Sequence, residues 1–312
     1  MFRSVRALAG ALLLAALLSG CATPQVAALL EHPPDDLAAR AEIRDTPFYP
    51  QEDYQCGPAA LATVLVHSGV RTSAEALVGE VYIPAREGAL QAEMLAATRR
   101  HQQVAYVLAP QLEDVLREVA AGTPVVVLQN LTFAFAPLWH YAVVVGYDRA
   151  KQEILLRSGV TKRLAMTLVN FERTWARSGR WAMIAVPPER LPATAHEDAY
   201  VGAAVALERV APEAAQTAYA TALARWPRNL LARMAIGNRA YRAHDYAAAA
   251  AAYRRAADDH PGAADAWNNL AQALLQLGRK PEALEAAQRA LALGGARRAV
   301  YERTLQTIAG SK

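Results

Sequence analysis

Residues 51–61 read Gln51-Glu52-Asp53-Tyr54-Gln55-Cys56-Gly57-Pro58-Ala59-Ala60-Leu61, a polar segment that leads through a cysteine into an apolar run. Proline is tolerated in the first turn of a helix, because the N–H that it lacks has no intrahelical partner there. The apolar residues that follow are spaced as one helical face and end at Gly69. The stretch therefore predicts a helix that begins at Cys56 and ends before Gly69.

A cysteine at the start of a helix is a candidate nucleophile. The unpaired N–H groups of the first turn carry partial positive charge, which favours the thiolate and lowers the pKa of the thiol. Gln51, a few residues earlier, has an amide that can donate a hydrogen bond to a developing oxyanion. We predict that Cys56 is the nucleophile and Gln51 the oxyanion-hole donor, against the alternatives of a structural cysteine and a loop-capping glutamine.

A thiol nucleophile needs a base, and His140 is the best of the seven histidines. It opens an apolar strand over 139–147, and a titratable group at the start of such a strand is the best candidate for the base, against the alternative of a hydrogen-bonded core histidine. His67 lies on the predicted helix of Cys56, but eleven residues at 1.5 Å each put it about 16 Å away. The remaining histidines lie in a predicted tether, beside basic residues or in helical repeats: His32, His101, His196, His244 and His260.

The region around these residues predicts an α+β domain over 46–190. Runs of β-branched and aliphatic residues bounded by turn residues predict strands over 104–108, 125–128, 141–145, 153–156 and 181–186. Helices are predicted over 90–100, 111–119 and 168–177. Helices that precede mostly antiparallel strands are typical of the α+β class.

Cys56 on a helix and His140 on a strand 84 residues later resemble the papain-like cysteine peptidases. Within them, the segments 51–59 and 140–148 are most similar to the family that removes double-glycine leaders from bacteriocins. The resemblance covers about residues 46–187. It implies a helix plus antiparallel sheet, a peptide or protein substrate, and a mechanism with Cys56 as nucleophile, His140 as general base and Gln51 at the oxyanion. Gln51 precedes the cysteine by five residues, where many papain-like enzymes have six.

The residue that orients the imidazole is the larger departure from the family. Relatives carry Asp or Asn on the strand after the hairpin, and Ser158 occupies that place here. Asp148 is predicted at the hairpin tip, about 26 Å from His140 along the strand. We therefore predict that Ser158 orients His140, although a serine does so more weakly than a carboxylate. The alternative is a non-catalytic adaptor built on a decayed peptidase fold.

A period of 34 residues replaces the strand pattern after residue 196. Ala215, Tyr219, Ala222 and Pro227 recur as Ala249, Tyr253, Ala256 and Pro261. The pattern resembles the tetratricopeptide repeat, strongly over 230–263 and 264–297 and less over 196–229. It predicts an all-α repeat domain over 196–310 that binds a protein partner.

The N-terminus has the pattern of a bacterial lipoprotein signal. Two arginines precede an apolar run over 7–18, which is too short to span a bilayer. The run ends in Leu18-Ser19-Gly20-Cys21, which resembles the lipobox. This predicts a signal peptide over 1–20, lipidation of Cys21 and a tether over 21–45. Alanine at position 22 implies, by resemblance to Gram-negative sorting, a lipid-anchored protein of the cell envelope at the outer membrane, facing the periplasm.

Composition excludes several other classes. Two cysteines cannot form a disulfide scaffold or a cysteine-rich zinc site, and a net charge of +4 over 312 residues does not indicate nucleic-acid binding. No metal or cofactor motif occurs, so none is predicted. Another papain-like chemistry, transglutaminase-like acyl transfer or cell-wall amidase action, remains as a third hypothesis beside the peptidase and the adaptor.

Overall fold

The computed structural model describes residues 23–50 and 55–311. It divides into two compact units, one comprising residues up to Pro187 with Pro192–Thr194, the other Pro188–Leu191 with the residues from Ala195 onward. The signal peptide, Cys21 and Gln51 lie outside the described residues, so the predictions made for them stay predictions.

The N-terminal unit is built on a seven-stranded sheet in which every pairing is antiparallel. The strands of this sheet are β1 Arg40–Glu42, β4 Val104–Val107, β5 Val125–Asn130, β6 Trp139–Asp148, β7 Glu153–Ser158, β8 Thr161–Thr167 and β9 Ala182–Val186. A separate small hairpin consists of β2 Tyr82–Ile83 and β3 Gly88–Ala89. The order of strands in the large sheet is β4-β9-β5-β6-β7-β8, and β1 pairs with the C-terminal end of β6.

Helices cover both faces of the large sheet. Tyr141, Val143 and Val145 of β6 share a buried cluster with Leu61 and Leu65 from the helix of Cys56. The residues between them on β6 point to the opposite face and are buried as well, as expected of a sheet with two covered faces. The helices of the unit are α1 Pro24–Glu31, α2 Cys56–His67, α3 Ala74–Val81, α4 Gln91–Arg100, α5 Leu112–Ala120 and α6 Leu168–Ala176.

Residues 24–42 form part of the folded unit, which differs from the tether predicted over 21–45. Val26 and Leu29 of α1 are buried, and the buried carboxylate of Glu172 accepts hydrogen bonds from the N–H groups of Gln25 and Val26. β5 pairs only with the first half of β6, and β1 fills the vacant place beside residues 146–148. A three-residue strand has no readable alternation, which is why the sequence pattern indicated a linker.

The predicted fold class is confirmed: a helix plus antiparallel sheet precedes an all-helical repeat region. The predicted hairpin at residues 148–151 connects β6 to β7. Helix α3, the β2–β3 hairpin and β8 were not predicted. Most side chains of β8 are exposed, so the strand carries little of the apolar signal on which strand prediction depends.

The C-terminal unit contains seven helices in the described residues. The second helices of the three successive pairs begin at residues 212, 246 and 280, which reproduces the 34-residue period of the sequence. The helices are α7 Glu197–Glu208, α8 Pro212–Arg225, α9 Leu230–Arg242, α10 Tyr246–Asp259, α11 Ala264–Gln276, α12 Lys280–Leu293 and α13 Arg298–Gly310. Across residues 23–50 and 55–311, no helix combines the length and the apolar character needed to cross a membrane.

Two glycines on repeat helices provide a matched pair for testing how closely these helices pack. A Cβ on Gly237 would lie 2.5 Å from the ring of Tyr253, whose hydroxyl is fixed by a hydrogen bond to Asn238. Gly237→Ala is therefore expected to destabilise the repeat region by roughly 1–3 kcal/mol. Gly202→Ala meets no atom within 4 Å and is expected to stabilise it by about 0.5–1 kcal/mol, since alanine is the better helix former. Thermal unfolding checks both, and a Gly237→Ala protein as stable as Gly202→Ala would contradict this packing.

Candidate active site

Cys56 is the first residue of α2, as the sequence predicts, and its side chain is partly buried. The residue after it is a glycine for a packing reason. A Cβ on Gly57 would lie 2.5 Å from the Cβ of Ala89, so the glycine lets β3 lie directly against the first turn of α2. The small β2–β3 hairpin thereby forms one side of the surroundings of Cys56.

His140 and Ser158 are brought together by the β6–β7 hairpin. His140 is the second residue of β6 and Ser158 the last of β7, and the antiparallel pairing places both at the same end of the sheet. Nε2 of His140 lies 2.9 Å from Oγ of Ser158, within hydrogen-bonding distance. Because this contact occupies Nε2, Nδ1 is the ring nitrogen left to exchange a proton with a thiol.

A cavity of about 800 Å³ has Cys56 and His140 in its wall. Among the described residues, the structure shows no hydrogen bond between Sγ of Cys56 and the His140 ring. The two side chains therefore line the same cavity without contacting each other through a hydrogen bond. Apo sites often show such loose contacts, which tighten when substrate binds. Of the predicted site residues, the structure places Cys56 and His140 in the wall of one cavity and Ser158 in contact with His140, while Gln51 lies outside the described residues.

Burial shifts the pKa values of both groups toward their neutral forms. The pKa of the Cys56 thiol is raised, chiefly because the thiol is removed from water, and backbone hydrogen bonds from Tyr141 and Gly57 offset only part of this effect. The pKa of His140 is lowered for the same reason, because burial disfavours the imidazolium. The lowered thiol pKa expected from the helix N-terminus was therefore wrong: desolvation outweighs the partial charge of the first turn. Burial therefore favours a thiol and a neutral imidazole over the charged pair in the resting site.

The pH dependence of alkylation tests this charge state. Iodoacetamide reacts with the thiolate, so the labelling rate of Cys56 is expected to rise with a midpoint above the ordinary thiol value of about 8.5. Free glutathione measured in the same series is the reference thiol. A midpoint below pH 7 would instead show a preformed thiolate–imidazolium pair.

Several residues of the cavity wall were not predicted from the sequence. One side is formed by the turn and short strand over 86–89, which had no readable secondary-structure signal, and by Leu90 and Gln91 at the start of α4. The other side includes Leu131, Leu138 and Trp139 at the connection from β5 to β6, and Ser178 after α6. Trp139 directly precedes the predicted base His140 in the sequence. Of these wall residues, it is therefore the one whose place at the site could have been expected from the sequence.

Comparison with protein families separates the two halves of the chain in the same way. Residues 43–183 match the model of the Peptidase_C39 like family, and residues 234–298 match a tetratricopeptide repeat model. The N-terminal unit is a C39-like peptidase domain. A tetratricopeptide-repeat region follows it. Comparison with curated proteins found no match.

Three solved structures illustrate what this chain is similar to. A structure described as a C39-like peptidase from Bacillus anthracis is 19% identical, covers 48% of this chain and 98% of its own, and gives a TM-score of 0.40. A double glycine motif protease of an AMS/PCAT transporter, solved with its leader peptide, is 19% identical, covers 47% and 98%, and gives 0.36. A mutant of the protein MamA is 22% identical, covers 37% and 66%, and gives 0.30.

Proposed function

We propose that this protein is a cysteine peptidase that hydrolyses peptide bonds at Cys56. The observation that carries the proposal is a single one: in a C39-like domain, the cysteine that begins α2 and a histidine held by Ser158 line the same cavity. Nucleophile, base and orienting group are the three parts that this chemistry requires. The cavity beside them is large enough to admit several residues of an extended peptide.

The charge state of the site indicates a general-base mechanism. Because burial favours the neutral forms of both groups, His140 accepts the thiol proton through Nδ1 as Sγ attacks the peptide carbonyl carbon. The backbone N–H of Cys56 and, in this proposal, the amide of Gln51 hold the oxyanion. His140 then gives the proton to the leaving amine, the C–N bond breaks, and a thioester remains on Cys56. Water, deprotonated by His140, hydrolyses the thioester and restores the thiol.

The proposed role of Ser158 leads to a gain-of-function prediction. A carboxylate at this position favours the imidazolium, which raises the pKa of His140 and lowers that of Cys56. Ser158→Asp is therefore expected to increase kcat/KM at pH 7 by up to about tenfold, and Ser158→Ala to decrease it by a similar factor. Thr161→Asp, which adds the same charge to the residue paired with Ser158 on β8, is the control. Equal activities of all four proteins would remove Ser158 from the mechanism.

The proposal places the enzyme in the cell envelope. The lipobox-like segment supports attachment of a lipid to Cys21 after removal of residues 1–20, with the peptidase facing the periplasm of a bacterium at its outer membrane. The tetratricopeptide-repeat region supports recruitment of a protein partner or substrate chain, because helical repeats present extended surfaces to other polypeptides.

Cleavage of a peptide library tests the enzymatic proposal without knowledge of the substrate. The purified protein is incubated with peptides from a digested bacterial proteome, and mass spectrometry detects new termini. Termini that accumulate with the wild-type protein and disappear after alkylation of Cys56 are expected. A protein that is folded and gives no new termini at any pH from 5 to 10 would contradict the peptidase.

Two observations favour a non-catalytic adaptor as the second candidate function. The serine at position 158 supports His140 less than a carboxylate would, and the raised pKa of Cys56 leaves less thiolate available for attack. In that case the peptidase fold and the repeats both serve binding. The test is to compare a strain that lacks this protein with strains that produce the wild-type or the Cys56→Ala protein. If Cys56→Ala restores every trait that the wild-type protein restores, the adaptor is favoured over the enzyme.

A further inference from the structure

An exposed apolar segment lies at the entrance to the candidate active site. Residues 131–139, here called the apolar loop, connect β5 to β6 and contain no charged side chain. Phe133 and Phe135 are 66% and 87% exposed, and Leu138 and Trp139 are about half exposed. A cluster of exposed aromatic and aliphatic side chains on a soluble domain marks a surface that something covers.

The apolar loop has a fixed shape, so its side chains project as a preformed tip. Oδ1 of the buried Asn130 accepts hydrogen bonds from the N–H groups of Thr132 and Leu138, and Nδ2 of the same amide donates to the carbonyl of Phe133. The rings of Phe133 and Phe135 stack with centroids 5.4 Å apart. A rigid tip of this kind loses little conformational freedom on contact with an apolar medium.

The two most exposed side chains of the tip do not belong to the cavity. Leu131, Leu138 and Trp139 line the cavity, whereas Phe133 and Phe135 lie outside it. A peptide bound in the cavity would therefore leave the two phenylalanines in water. This arrangement favours an occupant outside the active site over a substrate side chain.

The N-terminus of the described chain lies at the same end of the sheet as the apolar loop. The loop is at the end where β5 finishes and β6 starts, and the pairing of β9 with both β4 and β5 places the C-terminal end of β4 there as well. Gln25 is bound at this end: its side chain donates to the carbonyl of Pro110 and accepts from the N–H of Leu112, just after β4. The first turn of α1 is thus fixed beside the edge that carries the loop.

The chain between the proposed lipid and this fixed turn is very short. Two residues, Ala22 and Thr23, separate Cys21 from Pro24, the first residue of α1, and an extended chain spans at most about 10 Å over these three residue steps. A lipid on Cys21 would hold this end of the C39-like domain against the membrane. The uncharged, aromatic tip of the apolar loop lies at the same end. This favours lipid as the medium that covers it, since aromatic side chains are favoured at the boundary between headgroups and acyl chains.

We infer that the apolar loop inserts into the surface of the lipid bilayer that carries the anchor, so that the active-site cavity opens next to the membrane. The inference rests on the lipid anchor of the proposed function. The inference also names the substrate class for such a site, which is polypeptide segments that lie at the membrane surface.

Fluorescence quenching by brominated lipids tests this contact. The full chain, produced in bacteria and extracted with its native N-terminus, is reconstituted into phosphatidylethanolamine–phosphatidylglycerol vesicles with and without bromine on the acyl chains. We expect the brominated lipid to quench part of the emission of the wild-type protein, and Trp139→Phe to lose that quenched part. Phe133→Ser with Phe135→Ser is expected to reduce the quenching at least about twofold, because it removes the apolar side chains that hold the loop in the bilayer.

Controls separate this inference from the proposals on which it rests. Leu231→Ser removes a comparably exposed leucine from the repeat region and is expected to leave the quenching unchanged. Mass spectrometry of the N-terminus shows whether Cys21 carries a lipid. A lipidated protein whose Trp139 is not quenched overturns the inference alone. An N-terminus without lipid overturns the anchor and the inference together. If the double phenylalanine variant instead lowers hydrolysis of soluble peptides and leaves the quenching unchanged, the loop binds substrate, which also overturns the inference. Cleavage of the peptide library reports separately on the enzyme.

Discussion

A Cys56→Ala variant is expected to lose at least about 1000-fold of the peptide hydrolysis of the wild-type protein, because no other group in the mechanism can form the thioester. The loss is expected in kcat, and peptides still bind, since the cavity wall is otherwise intact. The side chain at this position is small and only partly buried, so the substitution is expected to leave the thermal unfolding midpoint nearly unchanged. The rate of appearance of new termini in the peptide library measures the effect.

Two further variants make the result specific to the thiol. Cys56→Ser keeps the volume and replaces the nucleophile by a poorer one, so its activity is expected to be far below that of the wild-type protein. Ser68→Ala changes the residue that caps the other end of α2 and is expected to keep full activity. Hydrolysis by Cys56→Ala within tenfold of the wild-type rate would show that the observed cleavage does not use Cys56.

Removal of the base is expected to have the second largest effect. His140→Ala is expected to reduce kcat at pH 7 by about 100-fold to 10,000-fold, since positioned general acid–base groups contribute that much. The remaining activity is expected to rise at alkaline pH, where Cys56 ionises without help. In the wild-type protein, by contrast, activity is expected to fall at low pH with a midpoint below the ordinary histidine value of about 6.5, because burial lowers the pKa of His140.

A second histidine of the same domain provides the control. His101 follows α4, and its Nε2 lies 3.0 Å from a carboxylate oxygen of Glu80, so His101→Ala removes an imidazole and a part-buried contact outside the cavity wall. It is expected to keep full activity, because neither residue lines the cavity. Equal losses for His101→Ala and His140→Ala would indicate a general effect on folding and would contradict the specific role of His140.

The helix of Cys56 and the strand of His140 could be predicted because each carries a strong local signal. Cys56-Gly57-Pro58 is a helix start, and the run over 139–147 is a long apolar strand that ends in a polar turn. Once the turn at 148–151 is recognised, antiparallel pairing brings the end of β7 back to the start of β6. Pairing alone does not place Ser158 beside His140, because the register shifts by one residue between Val144 and Gly146. Such a shift moves a side chain to the other face of the sheet, so the contact between Ser158 and His140 depends on an irregularity that the sequence pattern did not predict.

The contribution of residues 24–42 could not be read from the sequence. β1 is three residues long, and α1 is held by the carboxylate of Glu172, a residue almost 150 positions away. Such long-range contacts leave no periodic trace in the short segment itself. The consequence is functional, because a folded segment in place of a tether keeps the domain at the membrane in the proposed arrangement.

The charge state of Cys56 and His140 could not be predicted from the sequence either. The position of Cys56 at a helix N-terminus indicates a lowered pKa, and only the packed structure shows how far the thiol and the imidazole are removed from water. The two effects have opposite signs, and their balance depends on the walls of the cavity. Those walls come from segments with weak local signals, the β2–β3 hairpin and the connection from β5 to β6.

Covalent capture tests whether Cys56 is a nucleophile that depends on His140. A mixed pool of peptidyl chloromethyl ketones is incubated with the wild-type protein at pH 7, and the site of the thioether formed by loss of chloride is located by mass spectrometry. We expect a single adduct on Cys56, formed at least about 100-fold more slowly in His140→Ala. A folded wild-type protein in which Cys56 stays unmodified, or is labelled as fast in His140→Ala, would contradict it.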